Sequence, residues 1–172
     1  MIGSTLLKDI TSRPEVLSPA DASEAMDEEI KILLQQNDEG HEHTYDSVDV
    51  VICEIDIKTQ FVRICSTRRP VFVSSDSQLS ILKKEITDTQ HYETIERQLK
   101  KGDILYMFTD GYPDQFGGEK GKKIKVANMK SMLEQILDLP PAKQAMIVDR
   151  FFNRWKEGYD QVDDVLFIGI KL

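Results

Sequence analysis

The sequence is poor in the residues that mark several common protein classes. Its 172 residues include two cysteines, one tryptophan and three histidines. Cys53 and Cys65 lie inside apolar, strand-like segments, which favours buried thiols over a disulfide or a zinc site. No segment approaches the roughly 20 apolar residues of a membrane span, and no basic segment followed by an apolar one opens the chain. These absences predict a cytoplasmic protein without membrane contact.

Positive charge is also scarce. There are 22 lysines and arginines against 30 aspartates and glutamates, so the formal net charge is −8. An acidic chain argues against nucleic acid or an anionic membrane as its general partner. The sequence contains no GxSxG, P-loop, HExxH or GxGxxG motif. That absence disfavours serine hydrolases of the elbow type, P-loop NTPases, zinc proteases and dinucleotide-binding enzymes.

What is present favours one domain that mixes helices and strands. Apolar residues recur at helical spacing before residue 34, and Ser18–Pro19 is a typical helix start. Strand-like segments joined by polar turns follow over residues 48–108. Helical patterns return at residues 127–137 and 142–155, before a closing apolar segment at 165–172. Because the hairpins are grouped between helices, we predict an α+β domain rather than alternating βαβ units.

The most informative segment is the apolar run from Ile104 to Phe108, which ends on Thr109, Asp110 and Gly111. A uniformly apolar run predicts a strand covered on both faces. An ionised aspartate at the end of such a strand needs a positive partner, and a glycine after it lets a backbone or a ligand come close. The alternative is an ordinary Asp-Gly turn.

A second acidic position opens the last apolar segment, where Asp163 and Asp164 precede residues 165–172. Carboxylates from the ends of separate strands are the ligands that Mg²⁺ and Mn²⁺ prefer. Adjacent acids are also common in solvated turns. Since 53 residues separate Asp110 from Asp163, only the fold can bring them together.

Basic residues form two local groups that could meet phosphate. Arg68 and Arg69 precede Pro70, and guanidinium groups match phosphate geometry. Four lysines follow Gly118 and could attract a phosphorylated partner or form a solvated loop: Lys120, Lys122, Lys123 and Lys125. The three histidines lack the spacing of a metal site, and the segment that contains His41 and His43 is predicted to be an exposed loop.

With these residues assembled, the chain resembles the metal-dependent PPM-type serine/threonine phosphatases, and is most similar to the bacterial branch of the stage II sporulation protein E and RsbU type. The matching segments are residues 102–111, 114–118 and 161–166, the hairpin that opens at residues 46–49, and the turn before Pro70. The resemblance extends over residues 1–172.

The resemblance implies a layered α-β-β-α sandwich of mainly antiparallel sheets flanked by helices. It implies hydrolysis of phosphoserine or phosphothreonine with two Mn²⁺ or Mg²⁺ ions, and no catalytic residue beyond the metal ligands. Carried over by position, Asp110 and Asp163 would be metal ligands, Asp164 an accessory acid, and Gly111 the residue that permits close approach. Independently of the resemblance, the guanidinium groups of Arg68 and Arg69 are predicted to bind substrate, because they match phosphate geometry. The substrate would be a phosphorylated regulatory protein, often an anti-sigma-factor antagonist in this branch, and a longer protein would add an upstream sensor domain.

The sequence departs from the family at its start. Family members begin with strands that bear an Asp-Gly type motif and supply further metal ligands, and no such motif opens this sequence. We therefore expect a domain that lacks its first strands, and weak or no activity from the isolated chain. Two alternatives remain open: a catalytically degenerate pseudophosphatase that acts as a regulatory or protein-binding module, and an unrelated α+β interaction domain whose acids are only turns.

Overall fold

The structure is a computed structural model that describes residues 2–33, 49–82 and 92–172, with side chains from residue 5 onward. The chain divides into two compact units, one of residues 1–68 and 84–98, the other of residues 69–83 and 99–172. The predicted loop with His41 and His43 lies outside the described residues, as does His91. Within the described ranges, no helix combines the length and the apolar character that crossing a membrane requires.

The first unit packs two helices with a three-stranded antiparallel sheet. Its elements are α1 (Ile2–Thr11), α2 (Pro19–Leu33), β1 (Val51–Asp56), β2 (Phe61–Ser66) and β5 (Ile95–Gln98), with strand order β1-β2-β5. The predicted start of α2 is confirmed, since the Ser18 hydroxyl accepts a hydrogen bond from Asp21 N at 3.2 Å and Pro19 is the first helical residue. Ile10, Ala22 and Met26 form the core of the helical pair.

The second unit contains a four-stranded antiparallel sheet and three helices. Its elements are β3 (Val71–Ser75), β4 (Gln78–Leu82), β6 (Ile104–Phe108), α3 (Gly111–Asp114), β7 (Phe116–Gly117), β8 (Lys122–Lys123), α4 (Lys125–Glu134), α5 (Pro141–Trp155) and β9 (Phe167–Lys171). The sheet order is β4-β3-β6-β9, and β7 with β8 forms a small separate hairpin. Sequence patterns predicted all the larger elements. However, the helix predicted over residues 127–137 is α4, which ends at Glu134 and continues as turns.

Strand β6 has a buried side chain at four of its five positions, so the prediction of a strand covered on both faces is confirmed. Ile104, Tyr106 and Phe108 belong to a core cluster with α4 and α5, while Leu105, on the opposite face, is fully buried. Tyr112 continues this core beyond the strand, with its ring centroid 5.2 Å from that of Phe152 and 5.4 Å from that of Phe167. The core therefore fixes the position of the turn that follows β6.

Candidate functional site

The candidate site begins at the end of β6, where Asp110 precedes the single-turn helix α3. The backbone carbonyl of Asp110 accepts a hydrogen bond from Asp114 N at 2.9 Å, which closes this turn. The Asp110 side chain does not cap α3. Its side chain is 39% exposed, so the carboxylate is partly accessible to solvent. A buried strand thus presents one acid at its end.

The loop that precedes β9 is attached to this turn through Thr109. Thr109 N donates to the carbonyl of Leu166 at 3.0 Å. The Thr109 hydroxyl donates to the carbonyl of Asp164 at 2.8 Å and accepts from Leu166 N at 2.9 Å. These three hydrogen bonds hold residues 164–166 against the end of β6. Sequence reasoning did not identify Thr109 as a functional residue, because a threonine next to a strand is ordinary.

Gly111 allows the two segments to meet. A Cβ atom at Gly111 would lie 2.5 Å from the carbonyl oxygen of Asp164 and 3.1 Å from Cγ2 of Val165. Real Cβ atoms do not approach a backbone oxygen so closely, and so only glycine fits here. The close approach predicted for this residue is made by the backbone of Asp164. The structure therefore brings the segments of Asp110 and of Asp163–Asp164 together within one unit.

The two acids of this loop differ in their local bonds. One carboxylate oxygen of Asp163 accepts a hydrogen bond from Asp164 N at 2.7 Å, and the Gln161 side chain donates to the Asp163 carbonyl at 2.9 Å. Asp164 directs its carbonyl toward Thr109. Both residues are exposed. Their carboxylates consequently lie on an ordered but solvent-accessible loop.

The positive partner expected for Asp110 is Arg69. The guanidinium of Arg69 forms a charged hydrogen bond with the Asp110 carboxylate, and the Arg69 side chain is 24% exposed. Arg68 belongs to the other unit, where its Nε atom lies 3.5 Å from the Asp49 carboxylate and its side chain is 60% exposed. The two arginines predicted as substrate-binding residues therefore have different surroundings, and Arg69 contacts the predicted metal ligand Asp110.

The donor atoms at this site suit a hard cation, but their number is small. Asp110, Asp163 and Asp164 supply carboxylate oxygens, the ligand type that Mg²⁺ and Mn²⁺ prefer. Among the described residues, however, no group of three or more acids, histidines or cysteines is placed to hold a metal ion. One oxygen of Asp110 faces Arg69, and one of Asp163 is used within its own loop. These residues fit one part of a cation site and do not complete one.

Gln115 is a further residue of this region that the sequence did not single out. Its side chain is fully buried, and its amide nitrogen donates to the carbonyls of Phe116 and Asp160, each at 2.9 Å. Its side-chain oxygen has no hydrogen-bond partner in the part of the chain that the structure describes. Gln115 thus connects the segment after α3 with the start of the loop of residues 160–166, which we call the acidic loop.

Comparisons with known proteins identify the fold and the family. The SiaA-PP2C domain of Pseudomonas aeruginosa superposes with a TM-score of 0.80 at 19% identity, over 98% of this chain and 66% of that domain. The Mn-presoaked phosphatase domain of SpoIIE from Bacillus subtilis gives 0.62 at 18% identity, over 99% of this chain and 71% of that one. The RsbU and RsbW domains of a Mycobacterium tuberculosis protein give a TM-score of 0.69 at 15% identity, over 97% of this chain and 45% of that chain.

These likenesses confirm the predicted fold, which mixes helices with antiparallel sheets in the manner of PP2C-type phosphatase domains. The chain spans about two thirds of the SiaA-PP2C domain and less than half of the RsbU and RsbW structure. No curated protein matches it. The family model of stage II sporulation protein E matches residues 4–172, nearly the whole sequence. The chain therefore belongs to the stage II sporulation protein E (SpoIIE) family of PP2C-type phosphatase domains.

Proposed function

We propose that this chain forms most of a metal-dependent phosphatase domain that hydrolyses phosphoserine or phosphothreonine on a regulatory protein. The family supports the reaction class. The observation that supports a site at this place is the attachment of the acidic loop to the Asp110 turn, through Thr109 and the close contact at Gly111. An unrelated interaction domain with solvated turns would not need this contact.

In this proposal Asp110 and Asp163 hold the cation, and Asp164 is an accessory acid beside them. Mn²⁺ or Mg²⁺ held by these residues would supply positive charge against the phosphate and would activate water for its hydrolysis. Arg69 then has two roles. Its guanidinium neutralises the charge of the Asp110 carboxylate when no substrate is bound. Its forked N–H donors suit a phosphate group when substrate binds. The substrate is proposed to be a phosphorylated regulatory protein, such as an anti-sigma-factor antagonist.

The second candidate function is that of a pseudophosphatase, a regulatory module that binds a protein without hydrolysis. The Arg69–Asp110 ion pair favours it, because a fixed cation already neutralises one predicted ligand. The lack of a three-ligand group among the described residues favours it too. For the same reasons we propose that the isolated chain binds Mn²⁺ weakly and has low activity.

A Mn²⁺ titration followed by thermal melting tests the metal ligands directly, because ligand that binds only the folded state raises the melting temperature. We expect a saturable rise in the unaltered chain and its loss in Asp110→Asn. The matched control is Glu157→Gln, which removes another exposed carboxylate of the same unit. Arg69→Gln should enlarge the Mn²⁺-induced rise, because it removes the competing cation.

Hydrolysis of a phosphoserine peptide with Mn²⁺ separates the two functions. A saturable melting shift together with phosphate release supports the phosphatase, whereas a shift without release supports the pseudophosphatase. An equal Mn²⁺ shift in Asp110→Asn and in the unaltered chain would remove Asp110 from the ligand set.

A further inference from the structure

The hairpin of β7 and β8 is a basic surface on an acidic protein. We use the name lysine hairpin for residues 116–125, which contain four lysines and one acid, Glu119. The remainder of the chain is strongly acidic, since the total formal charge is −8. A positive region of this kind attracts negative groups that the rest of the surface repels.

The lysine hairpin is firmly attached to the end of α5. Gly118 N donates to the carbonyl of Trp155 at 2.8 Å, and the Trp155 indole N–H donates to the carbonyl of Lys122 at 3.0 Å. At Gly117, a Cβ atom would lie 1.8 Å from the same Trp155 carbonyl. Ile124 is fully buried, and its N–H donates to the carbonyl of Gln115 at 3.0 Å. The lysines therefore extend from a preorganised backbone.

Three of the four lysines are available for a ligand. Lys123 pairs with Asp114 at 3.0 Å, and its ammonium lies 5.7 Å from the centre of the Phe116 ring. The other three lysines are exposed, and none of them forms an ion pair with a described residue: Lys120, Lys122 and Lys125. Phe116 is itself 41% exposed, so the surface offers an apolar contact beside its positive charges.

The lysine hairpin lies close to Asp110 along the chain and in space. Asp114, the partner of Lys123, donates its N–H to the Asp110 carbonyl across the single turn of α3. One helical turn advances about 5.4 Å, and the side chains of the ion pair add about as much again. The Lys123 ammonium is thus on the order of 10 Å from Asp110. An extended peptide advances roughly 3.3 Å per residue, so a few residues connect Asp110 with the lysine hairpin.

We propose that the lysine hairpin binds acidic residues that flank the phosphorylated residue of a protein substrate, a few positions away from it. The position of the phosphorylated residue rests on the proposed function, whereas the affinity for acidic peptide segments does not. The acidic chain would by itself repel such segments. A preference for acidic over neutral peptides is therefore a specific signature of this surface.

Trp155 provides the measurement, because it is the single tryptophan of the chain and its indole is hydrogen-bonded to the lysine hairpin. Two phosphoserine peptides would be titrated at low salt, one with glutamates about three positions on either side and one with glutamines there. We expect the tryptophan emission to change with both and the glutamate peptide to bind about fivefold more tightly. A Lys120→Glu/Lys122→Glu double variant should lose this preference.

The matched control is Lys143→Glu, which reverses an exposed lysine of α5 that lies outside the lysine hairpin. It should keep the preference, and all variants should melt at the temperature of the unaltered chain. Equal affinity for the two peptides, or a preference that survives in the double variant, would overturn the proposal.

Phosphate release with Mn²⁺, measured separately, keeps the two proposals distinguishable. Acid-selective binding without hydrolysis supports the lysine hairpin and favours the pseudophosphatase over the phosphatase function. Hydrolysis at equal rates for both peptides, with no difference in binding, supports the phosphatase function and contradicts the lysine hairpin.

Discussion

Thr109 and Gly111 have a larger part in the candidate site than their size suggests. The hydroxyl of Thr109 bonds to two backbone groups of the acidic loop, and Gly111 leaves the space that the Asp164 carbonyl occupies. Asp110 stands between them with its carboxylate half exposed. The uncharged residues on either side of Asp110 therefore determine how the two acidic segments meet.

Gly111→Ala should weaken the structure at this point. The added methyl would lie 2.5 Å from a backbone oxygen, which can be relieved only if the loop moves. We expect the free energy of unfolding to fall by about 1–3 kcal/mol, and any Mn²⁺-induced melting shift to shrink. Urea denaturation measures the first effect.

The matched control is Gly169→Ala on β9, where the nearest atom would be 3.5 Å away, an ordinary contact. That change should leave stability within about 0.5 kcal/mol. Equal stability of the two variants would contradict the close approach at Gly111.

The thiols provide a second test at residue scale. Burial, with a smaller contribution from the charge of Glu54, raises the pKa of Cys53 from 9.0 to about 11, and burial also raises the pKa of Cys65. A raised pKa keeps the thiol protonated at pH 8, where the thiolate fraction falls from about one in ten to about one in a thousand. Reaction of Cys53 with a disulfide reagent should therefore be at least about tenfold slower in the folded chain than in urea, because the greater nucleophilicity of a more basic thiolate offsets part of its scarcity.

In Cys65→Ser, which isolates Cys53, the folded rate should increase between pH 9 and about 11, as the thiol of the folded chain titrates. Equal rates in the folded and unfolded chains at pH 8 would contradict the partial burial of Cys53.

At the scale of elements, buried hydrogen bonds fix α5 on the segment that delivers Asp110. The Tyr106 hydroxyl of β6 donates to the side-chain oxygen of Gln144 at 2.8 Å, and Tyr112 donates to the carbonyl of Val148 at 2.8 Å. Burial raises the pKa of both tyrosines, so that both hydroxyls remain protonated donors. Helix and strand are thus held by polar contacts as well as by packing.

The two tyrosines should differ when each is replaced by phenylalanine. Tyr106→Phe leaves the buried side-chain oxygen of Gln144 without its donor, which costs about 1–3 kcal/mol of unfolding free energy. Tyr112→Phe should cost about 1 kcal/mol or less, because the Val148 carbonyl lies inside α5 and can keep its helical bond. Thermal or urea unfolding of both variants checks the order, and a larger loss in Tyr112→Phe would contradict it.

Sequence patterns predicted the elements better than their ends. The apolar run of β6 and the Ser18–Pro19 start of α2 were both correct, because burial and capping are local properties. The last strand was predicted to begin at residue 165 but begins at Phe167. Leu166 instead exchanges hydrogen bonds with Thr109, a partner 57 residues away that no local pattern reveals.

At the scale of the whole molecule, the net charge and the family membership together bear on how a phosphorylated substrate would be bound. The family model matches residues 4–172, which include parts of both compact units. The formal charge of −8 makes the lysine hairpin an exception rather than part of a general basic surface. The proposed action on phosphorylated proteins requires local positive groups on so acidic a chain, and we propose Arg69 and the lysine hairpin for that role.

The sequence by itself determined the mixed helix and strand class, the family and the identity of the candidate acids, because apolar patterns and short motifs depend on neighbouring residues only. The tertiary structure decided which of them meet. Antiparallel pairing of β6 with β9 places Phe108 opposite Phe167 and so brings the Asp164 backbone to Gly111. The tertiary structure also places Arg69 against Asp110 as its positive partner. A local apolar pattern specifies the face that a strand buries, but contacts between residues far apart in the chain depend on which distant strands pair and on how the core packs.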